Sequence, residues 1–279
     1  MNPKMVSFAD NFEDVLLRRA FPGLTDGFYI DVGAFDPVEH SVTKHFYDSG
    51  WRGINIEPNP EPFASLVEGR PRDINLKLGL SNREGSLTLF EAPSACWSAD
   101  RQMVTGYFGA DPAQVVERTI EVTTLATLCD RHVPRGVTVD FLKIDVEGHE
   151  LEVVEGGDWW RHRPRIVLAE SNEAHRWEPI LLAADYLFAF FDGVNRLYVR
   201  QEDRHLIPRV SVPVNTSDGF WIHGYLRRIN ELEASLEAYR HRAAEPTAAE
   251  FARHLVRRVS RRHPRASSLA RRFVRKLTG

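Results

Sequence analysis

VTVDFLKIDVEGHE, residues 137–150, joins an apolar run to the polar residues that end it. The run 137–145 predicts a buried strand, and a helical pattern over about 148–155 follows it at once. Asp145 closes the predicted strand, so we expect its carboxylate to point into a cleft rather than into the core. A strand that passes directly into a helix is typical of a wound α/β sheet.

The same alternation of apolar runs and helical stretches continues on both sides of this unit. Further strands are predicted at 28–32, 54–57, 74–80, 86–90, 118–122, 166–169, 186–191 and 197–199. Further helices are predicted at 60–68, 124–131 and 177–184. We therefore expect an α/β fold with roughly seven main strands, in which 86–90 belongs to an added hairpin.

The composition is that of an ordinary globular protein. The 279 residues are 43% apolar and 27% charged, which excludes collagen-like and low-complexity chains. The two cysteines, Cys96 and Cys129, have no partner at zinc-ligand spacing, so we expect packing residues and no metal site. The N-terminus shows no secretory signal, and the longest charge-free apolar stretch is far shorter than the roughly 20 residues of a membrane span. A cytoplasmic protein is the expectation.

Charge divides the chain into two parts. Residues 226–279, the tail, carry 14 Lys and Arg against 5 Asp and Glu, whereas residues 1–225, the body, have a net charge of −12. Apolar residues at helical spacing open the tail and predict an amphipathic helix that also suits a homodimer contact: Leu226, Ile229, Leu232 and Leu236. The sequence thus predicts a body domain and a helical basic extension.

Two more basic amphipathic stretches follow in the tail, around Phe251 and Leu269. Helices of this kind bind membrane surfaces or acidic partners, which suggests a peripheral position at the inner membrane face. The alternative is that they are solvated helices that pack on the acidic body. Nucleic acid is not an expected partner, because the arginine runs lack interleaved aromatic residues that stack on bases.

Acidic residues end two more of the predicted strands. Asp31 precedes Gly33, which lets the backbone turn close to a ligand, although Asp31 also suits a helix cap. Glu57 ends the next strand, near the offset at which an acid binds the ribose hydroxyls of adenosine cofactors. Both S-adenosylmethionine and a nicotinamide cofactor fit these acids. The absence of further glycines argues against the second, because a pyrophosphate needs close backbone approach.

The strand end at Asp145 is the most acidic of the three. Glu147 follows two residues later, and Glu150 favours the N-terminus of the next helix electrostatically. These acids suit a substrate hydroxyl, a sulfonium cation or a metal ion. His149 is a candidate general base, with a solvated histidine in the first helical turn as the alternative.

The stretches DVGA (31–34), WRGINIEP (51–58) and KIDVEGHE (143–150) together resemble the FkbM-type S-adenosylmethionine-dependent methyltransferases. The stretches SFADNFEDV (7–15), RWEP (176–179) and FDGVNR (191–196) are similar to a branch of that family found among glycan-biosynthesis genes. The resemblance extends over about residues 7–199. It implies a class I, Rossmann-like methyltransferase fold with a seven-stranded, mostly parallel sheet, and O-methylation of a sugar or polyketide hydroxyl.

The resemblance also implies roles for individual residues. The methionine side of the cofactor would contact Asp31, Gly33 and Ala34, and the ribose would contact Glu57. The adenine would lie near Leu80 and Ser81, while Asp145 and Glu147 would face the sulfonium and the acceptor. The sequence departs from the family at Phe35, where an asparagine is usual, and at His149, where relatives often have an aromatic residue or alanine.

Methyl transfer needs two positioned reactants and a base for the acceptor hydroxyl. Glu147 is the first candidate for the base and Asp145 the second, and either acid also suits a divalent cation. Several other residues are candidates for the acceptor side, each with a structural alternative such as a turn or core packing: Glu170, Asp192, Asn195, Arg196, Trp159, Trp160 and Trp177.

Two other functions remain open from the sequence. A nicotinamide-dependent, NAD or NADP, oxidoreductase uses the same kind of wound sheet. The second is a degenerate methyltransferase domain that serves only as a binding module. The presence of Asp31, Glu57 and Asp145 together argues against it.

Overall fold

The computed structural model describes residues 5–92, 97–107, 109–171 and 175–242. The strands are β1 (Met5–Ser7), β2 (Phe28–Val32), β3 (Arg52–Ile56), β4 (Ile74–Leu76), β5 (Gly79–Leu80), β6 (Gly85–Glu91), β7 (Trp97–Ser98), β8 (Val116–Thr123), β9 (Phe141–Ile144), β10 (Ile166–Glu170), β11 (Tyr186–Phe191), β12 (Asn195–Arg200) and β13 (Phe220–Ile222). The α-helices are α1 (Glu13–Ala20), α2 (Lys44–Asp48), α3 (Pro60–Gly69), α4 (Leu125–His132), α5 (Glu150–Glu155), α6 (Glu178–Ala183), α7 (Ile207–Val210) and α8 (His223–Arg242). A π-helical turn spans Met103–Tyr107, and 3₁₀ turns span Gln201–Leu206 and Thr216–Asp218.

Seven strands form the central sheet, in the order β11–β12–β10–β9–β2–β3–β4. The pairings from β10 to β4 are parallel, whereas β12 is antiparallel to both β10 and β11. The fold is thus α/β as predicted, but the sheet is mixed. The short turn between β11 and β12 accounts for this, because neighbouring parallel strands need a long crossover.

The strand order reverses beside β2. The chain proceeds from β2 to β3 and β4 on one side, and later places β9 and β10 on the other. β2 is buried along its whole length, with Ile30 in the core on one face of the sheet and Tyr29 in the core on the other. Such burial on both faces explains why β2 and β9 are nearly continuous apolar runs.

A separate four-stranded accessory sheet has the order β5–β8–β6–β7. The predicted strand 74–80 is therefore wrong as a single element, since β4 and β5 lie in different sheets. The reason is the close packing of Gly79 on β8: a Cβ atom there would lie 2.7 Å from Cδ1 of Ile120. The strand predicted at 86–90 is confirmed as β6. Across the described residues, the predicted hairpin is limited to two residue pairs between β6 and β7, because the main antiparallel partner of β6 is β8, further along the chain.

The predicted strand 137–145 is shorter than expected. Residues 134–137 form a turn, in which the amide of Val137 donates to the carbonyl oxygen of Pro134 and Gly136 has a φ of 79°. Regular pairing begins at Phe141, which lies opposite Tyr29 on β2 and Ile166 on β10.

The chain forms two compact units, Met1–Phe220 and Trp221–Gly279. The helix predicted from the leucine spacing at the start of the tail is present as α8. In the described part of the chain, no helix has the length and apolar content that a membrane crossing requires. The basic stretches around Phe251 and Leu269 and the packing role of Cys96 lie outside the described residues and stay predictions.

Candidate active site

A cavity of about 380 Å³ lies at the carboxyl ends of β2, β3 and β9. Open α/β sheets bind ligands at this edge, where the strand order reverses, and the volume is that of a small-molecule site. Most of the residues predicted to bind a cofactor or to catalyse line this cavity: Gly33, Ala34, Glu57, Leu80, Asp145 and Glu147.

Glu57 is buried where β3 ends, with its carboxylate fixed by two backbone amides. One oxygen accepts a hydrogen bond from the amide of Phe35 at 3.0 Å, and the other accepts from the amide of Asn59 at 2.8 Å. Burial raises the pKa of Glu57, although the two amides act in the opposite direction. Each carboxylate oxygen keeps a second lone pair, so the group can accept two neighbouring hydroxyls.

Gly33 brings the end of β2 against the end of β9. Its φ is 77°, and a Cβ atom built on it overlaps the carbonyl oxygen of Asp145 and lies 3.0 Å from the carbonyl carbon. The amides of Gly33 and Ala34 both donate to the carbonyl oxygen of Ile56. Glycine is needed here because of contacts within the protein, whether or not a ligand is present.

Asp31 lies behind the wall of the cavity rather than on it. It is 2% exposed, one oxygen accepts from the hydroxyl of Thr43 at 2.9 Å, and the other is 3.4 Å from Nζ of Lys143. Lys143 also lies 3.3 Å from Asp145 and donates to the carbonyl oxygen of Gly33 at 2.8 Å. Asp31 thus positions Lys143, and its contact with a cofactor stays a prediction.

Lys143 is the cation between these two acids. Burial lowers its pKa, but the carboxylates of Asp145 and Asp31 outweigh burial and leave the pKa above its usual value. Asp145 itself is on the cavity wall with its side chain 37% exposed, so the prediction that it points into a cleft is confirmed.

Glu147 lies in a tight turn between β9 and α5. Its φ is 53°, and its carbonyl oxygen accepts a hydrogen bond from the hydroxyl of Ser98 at 2.6 Å. Burial and the nearby Asp145 and Glu150 raise the pKa of Glu147 to about 7. A carboxylate with a pKa near neutrality is suited to accept a proton from a hydroxyl.

The remaining residues of this turn are held by side chains. One oxygen of Glu150, the first residue of α5, accepts from the amides of Val146 and Gly148 and so fixes the turn before the helix; its electrostatic effect on the helix N-terminus stays a prediction. His149 lines the cavity and its side chain is 13% exposed, so the expectation of a solvated histidine is wrong. Its Nε2 lies 3.1 Å from the hydroxyl of Ser81, which is buried behind the wall.

Glu13 on α1 is a cavity residue that the sequence analysis missed. Its oxygens accept from the side chain of Asn195 at 2.7 Å and from the amide of Asn11 at 2.9 Å. Burial raises its pKa to about 8, with smaller contributions from Asp192 and Asp14. In the sequence, Glu13 lies in the stretch 7–15 that carries part of the family resemblance, just before the apolar side of a short helix.

The predicted glycan-binding residues in the β11–β12 turn do not line the cavity. Asp192 accepts from the amides of Val194 and Asn195, which is the turn alternative, and Arg196 pairs with Glu178 at 2.9 Å. Glu170 also lies off the cavity wall, and burial together with Asp145, Glu147 and Glu150 raises its pKa to about 8.

Three tryptophans were candidates for stacking on a sugar. Trp159 and Trp177 are buried in the core, as their packing alternative predicts, while Trp160 is 65% exposed on the surface. A fourth, Trp97 on β7, lines the cavity instead. Among the described residues, no group of three or more His, Cys, Asp or Glu side chains is arranged to hold a metal ion.

Comparison with known proteins gives one family. Residues 31–192, more than half of the chain, match the family described as "Methyltransferase FkbM domain". The crystal structure of Methyltransferase FkbM from Methylobacillus flagellatus KT is similar at 16% identity and a TM-score of 0.42. The match covers 69% of this chain and 48% of the other, so it spans about half the length of that protein. No curated protein matches.

Proposed function

Because the chain belongs to the FkbM methyltransferase family, we propose that it is an S-adenosylmethionine-dependent O-methyltransferase acting on a sugar hydroxyl of a glycan or glycolipid precursor. The observation that carries the proposal is that Glu57 and Glu147 line the same cavity. The first is a fixed acceptor for ribose hydroxyls, and the second is an acid with a pKa suited to proton transfer.

The residues that line the cavity fit S-adenosylmethionine. Glu57 would hold the ribose, and Leu80, Leu87 and Ile120 offer an apolar surface for the adenine. Asp145 and Glu147 would face the sulfonium, whose positive charge suits an acidic wall. Three further acids also line the cavity: Asp10, Glu13 and Glu39.

The same cavity suits a nicotinamide dinucleotide poorly. A dinucleotide fold places its pyrophosphate at the N-terminus of a helix that directly follows the first strand. Here residues 33–43 separate β2 from α2, which is a helix of only five residues. The one Lys or Arg side chain on the described cavity wall is also already paired, since Lys143 lies beside both Asp31 and Asp145.

S-adenosylmethionine, when bound, supplies an electrophilic methyl group that an acceptor oxygen can attack. The chain would contribute the positions of both reactants and the removal of the hydroxyl proton. Glu147 suits the second task better than Asp145, because burial raises the pKa of Glu147 to about 7, whereas the carboxylate of Asp145 is held by Nζ of Lys143 at 3.3 Å. Asp145 would instead orient the acceptor hydroxyl or face the sulfonium.

Calorimetric titration with S-adenosylhomocysteine, NAD and NADP tests the cofactor. We expect binding of the first alone, weakened about 10–100-fold by Glu57→Ala, since the lost hydrogen bonds involve a charged group. Glu61→Ala is the matched control, because Glu61 is exposed in the first turn of α3 and lies off the cavity wall. A thermal melt of each variant checks that it folds.

Three results would contradict the proposal. Tight binding of NAD or NADP would favour the oxidoreductase. Failure of the wild type to bind S-adenosylhomocysteine would contradict the proposed cofactor. Binding of S-adenosylhomocysteine without methyl transfer to any hydroxylated acceptor would favour a binding module.

A further inference from the structure

One face of the accessory sheet forms an apolar wall of the cavity. Leu87 and Leu89 alternate along β6, so they share a face, and Ile120 on β8 lies directly opposite Leu87. Trp97 on β7 lies opposite Glu91, which is on the same face of β6. Four apolar side chains of this face line the cavity: Leu87, Leu89, Trp97 and Ile120.

The two ends of this wall meet different parts of the site. Ile120 packs against Gly79, which precedes Leu80, so this end adjoins the predicted adenine position. Trp97 is in register with Glu91, four residues further along β6 than Leu87, which is about 14 Å at 3.4 Å per residue. The wall is therefore long enough to contact two ligands.

The Trp97 end is joined to the turn that carries Glu147. Ser98, the next residue of β7, is buried, and its hydroxyl donates a hydrogen bond to the carbonyl oxygen of Glu147. Trp97 and Glu147 both line the cavity, and this contact ties the strand that carries Trp97 to the turn that carries the candidate base.

We propose that Trp97 binds the acceptor by packing its ring against the apolar face of a pyranose. This inference rests on the proposed function and names the residue that determines its substrate class. A pyranose has an apolar face of C–H groups and an edge of hydroxyls. The wall at Trp97 matches the first. The carboxyl groups of Glu147 and Glu13 match the second, since their oxygens accept hydrogen bonds from hydroxyls.

The test compares Trp97→Ala and Trp97→Phe in the full-length chain. The probes are S-adenosylhomocysteine, followed by calorimetry, and a panel of methyl hexopyranosides (gluco, manno, galacto and rhamno), followed by ligand-observed NMR with S-adenosylhomocysteine present. Trp160→Ala is the matched control, because Trp160 is exposed and lies off the cavity wall.

We expect Trp97→Ala to weaken pyranoside binding about tenfold and to change S-adenosylhomocysteine binding by less than about twofold. Trp97→Phe should retain most pyranoside affinity, which shows that the variant site is intact and that the ring is what matters. Trp160→Ala should match the wild type for both probes.

The inference is overturned if the wild type binds S-adenosylhomocysteine but no pyranoside, or if Trp97→Ala binds pyranosides as the wild type does. It is also overturned if Trp97→Ala weakens both probes equally, because the wall would then belong to the cofactor. Pyranoside binding that depends on Trp97 without S-adenosylhomocysteine binding would support the inference and contradict the proposed cofactor.

Discussion

Replacement of Gly33 by alanine tests how closely the carboxyl ends of β2 and β9 pack together. Gly23 is a matched control, because its φ of 76° is nearly that of Gly33 at 77°. A Cβ atom at Gly23 would meet nothing within 4 Å, whereas one at Gly33 overlaps the carbonyl oxygen of Asp145. The two variants thus share the backbone strain and differ in the steric contact.

The expected loss of stability follows from these two contributions. A Cβ atom in the left-handed region costs about 1–2 kcal/mol, and both variants bear this cost. Only Gly33→Ala must also move the turn after β9 away from β2, and overpacking of this kind costs about 1–3 kcal/mol more. We expect the free energy of unfolding to fall by about 2–5 kcal/mol for Gly33→Ala and about 1–2 kcal/mol for Gly23→Ala.

Equilibrium unfolding in urea measures both losses, with the slope of the transition checked for each variant. Movement of Asp145 also disturbs its pairing with Lys143, so Gly33→Ala should bind S-adenosylhomocysteine more weakly even where it is fully folded. Equal losses of stability in the two variants, within about 0.5 kcal/mol, would refute the contact between Gly33 and Asp145.

Three further predictions concern buried charges. If Glu147 is the base, kcat/KM for methyl transfer should rise as the pH passes about 7. Glu147→Gln should lower kcat/KM about 100-fold or more and abolish this pH dependence. An unchanged pH profile in the variant would exclude Glu147 as the base. Arg70 is 1% exposed, is bonded to Pro37 and Ser41, and holds the loop that follows β2, so Arg70→Met should lower the unfolding free energy by about 3–5 kcal/mol, against little for the exposed Arg83→Met; equal losses in urea would contradict this. The pKa of Glu13 is raised from 4.5 to about 8, so the folded state binds the extra proton and stability should fall as the pH rises from about 4.5 to 8. Glu13→Gln should reduce this slope in urea titrations at several pH values, and an unaltered slope would show that Glu13 is not its source.

The sequence was sufficient for the parts of the fold that local pattern determines. Apolar runs predicted β2, β3, β9 and β10, and the acids that end them predicted the edge at which the cavity lies. Glu57, Asp145 and Glu147 line that cavity because carboxyl ends of parallel strands meet at one edge of a sheet.

The parts that depend on distant contacts could not be predicted. Glu13 reaches the cavity only because α1 packs beside the end of β12, and its partner Asn195 is 182 residues away. Asp31 lies near the end of a strand like Glu57, yet it lies behind the cavity wall, where Thr43 donates to one oxygen and Nζ of Lys143 is 3.4 Å from the other. Trp97 belongs to a two-residue strand, too short for any periodic pattern.

The accessory sheet adds no strand to the central sheet, because the chain leaves after β4 and returns through α4 to β9. Changes of length or sequence in β6 and β7 therefore alter one wall of the cavity and leave the register of β2, β3 and β9 intact. Such an arrangement separates two evolutionary demands: the edge acids can stay fixed while the accessory sheet diverges. Chimeras that exchange only this segment between family members are the natural route to new acceptors.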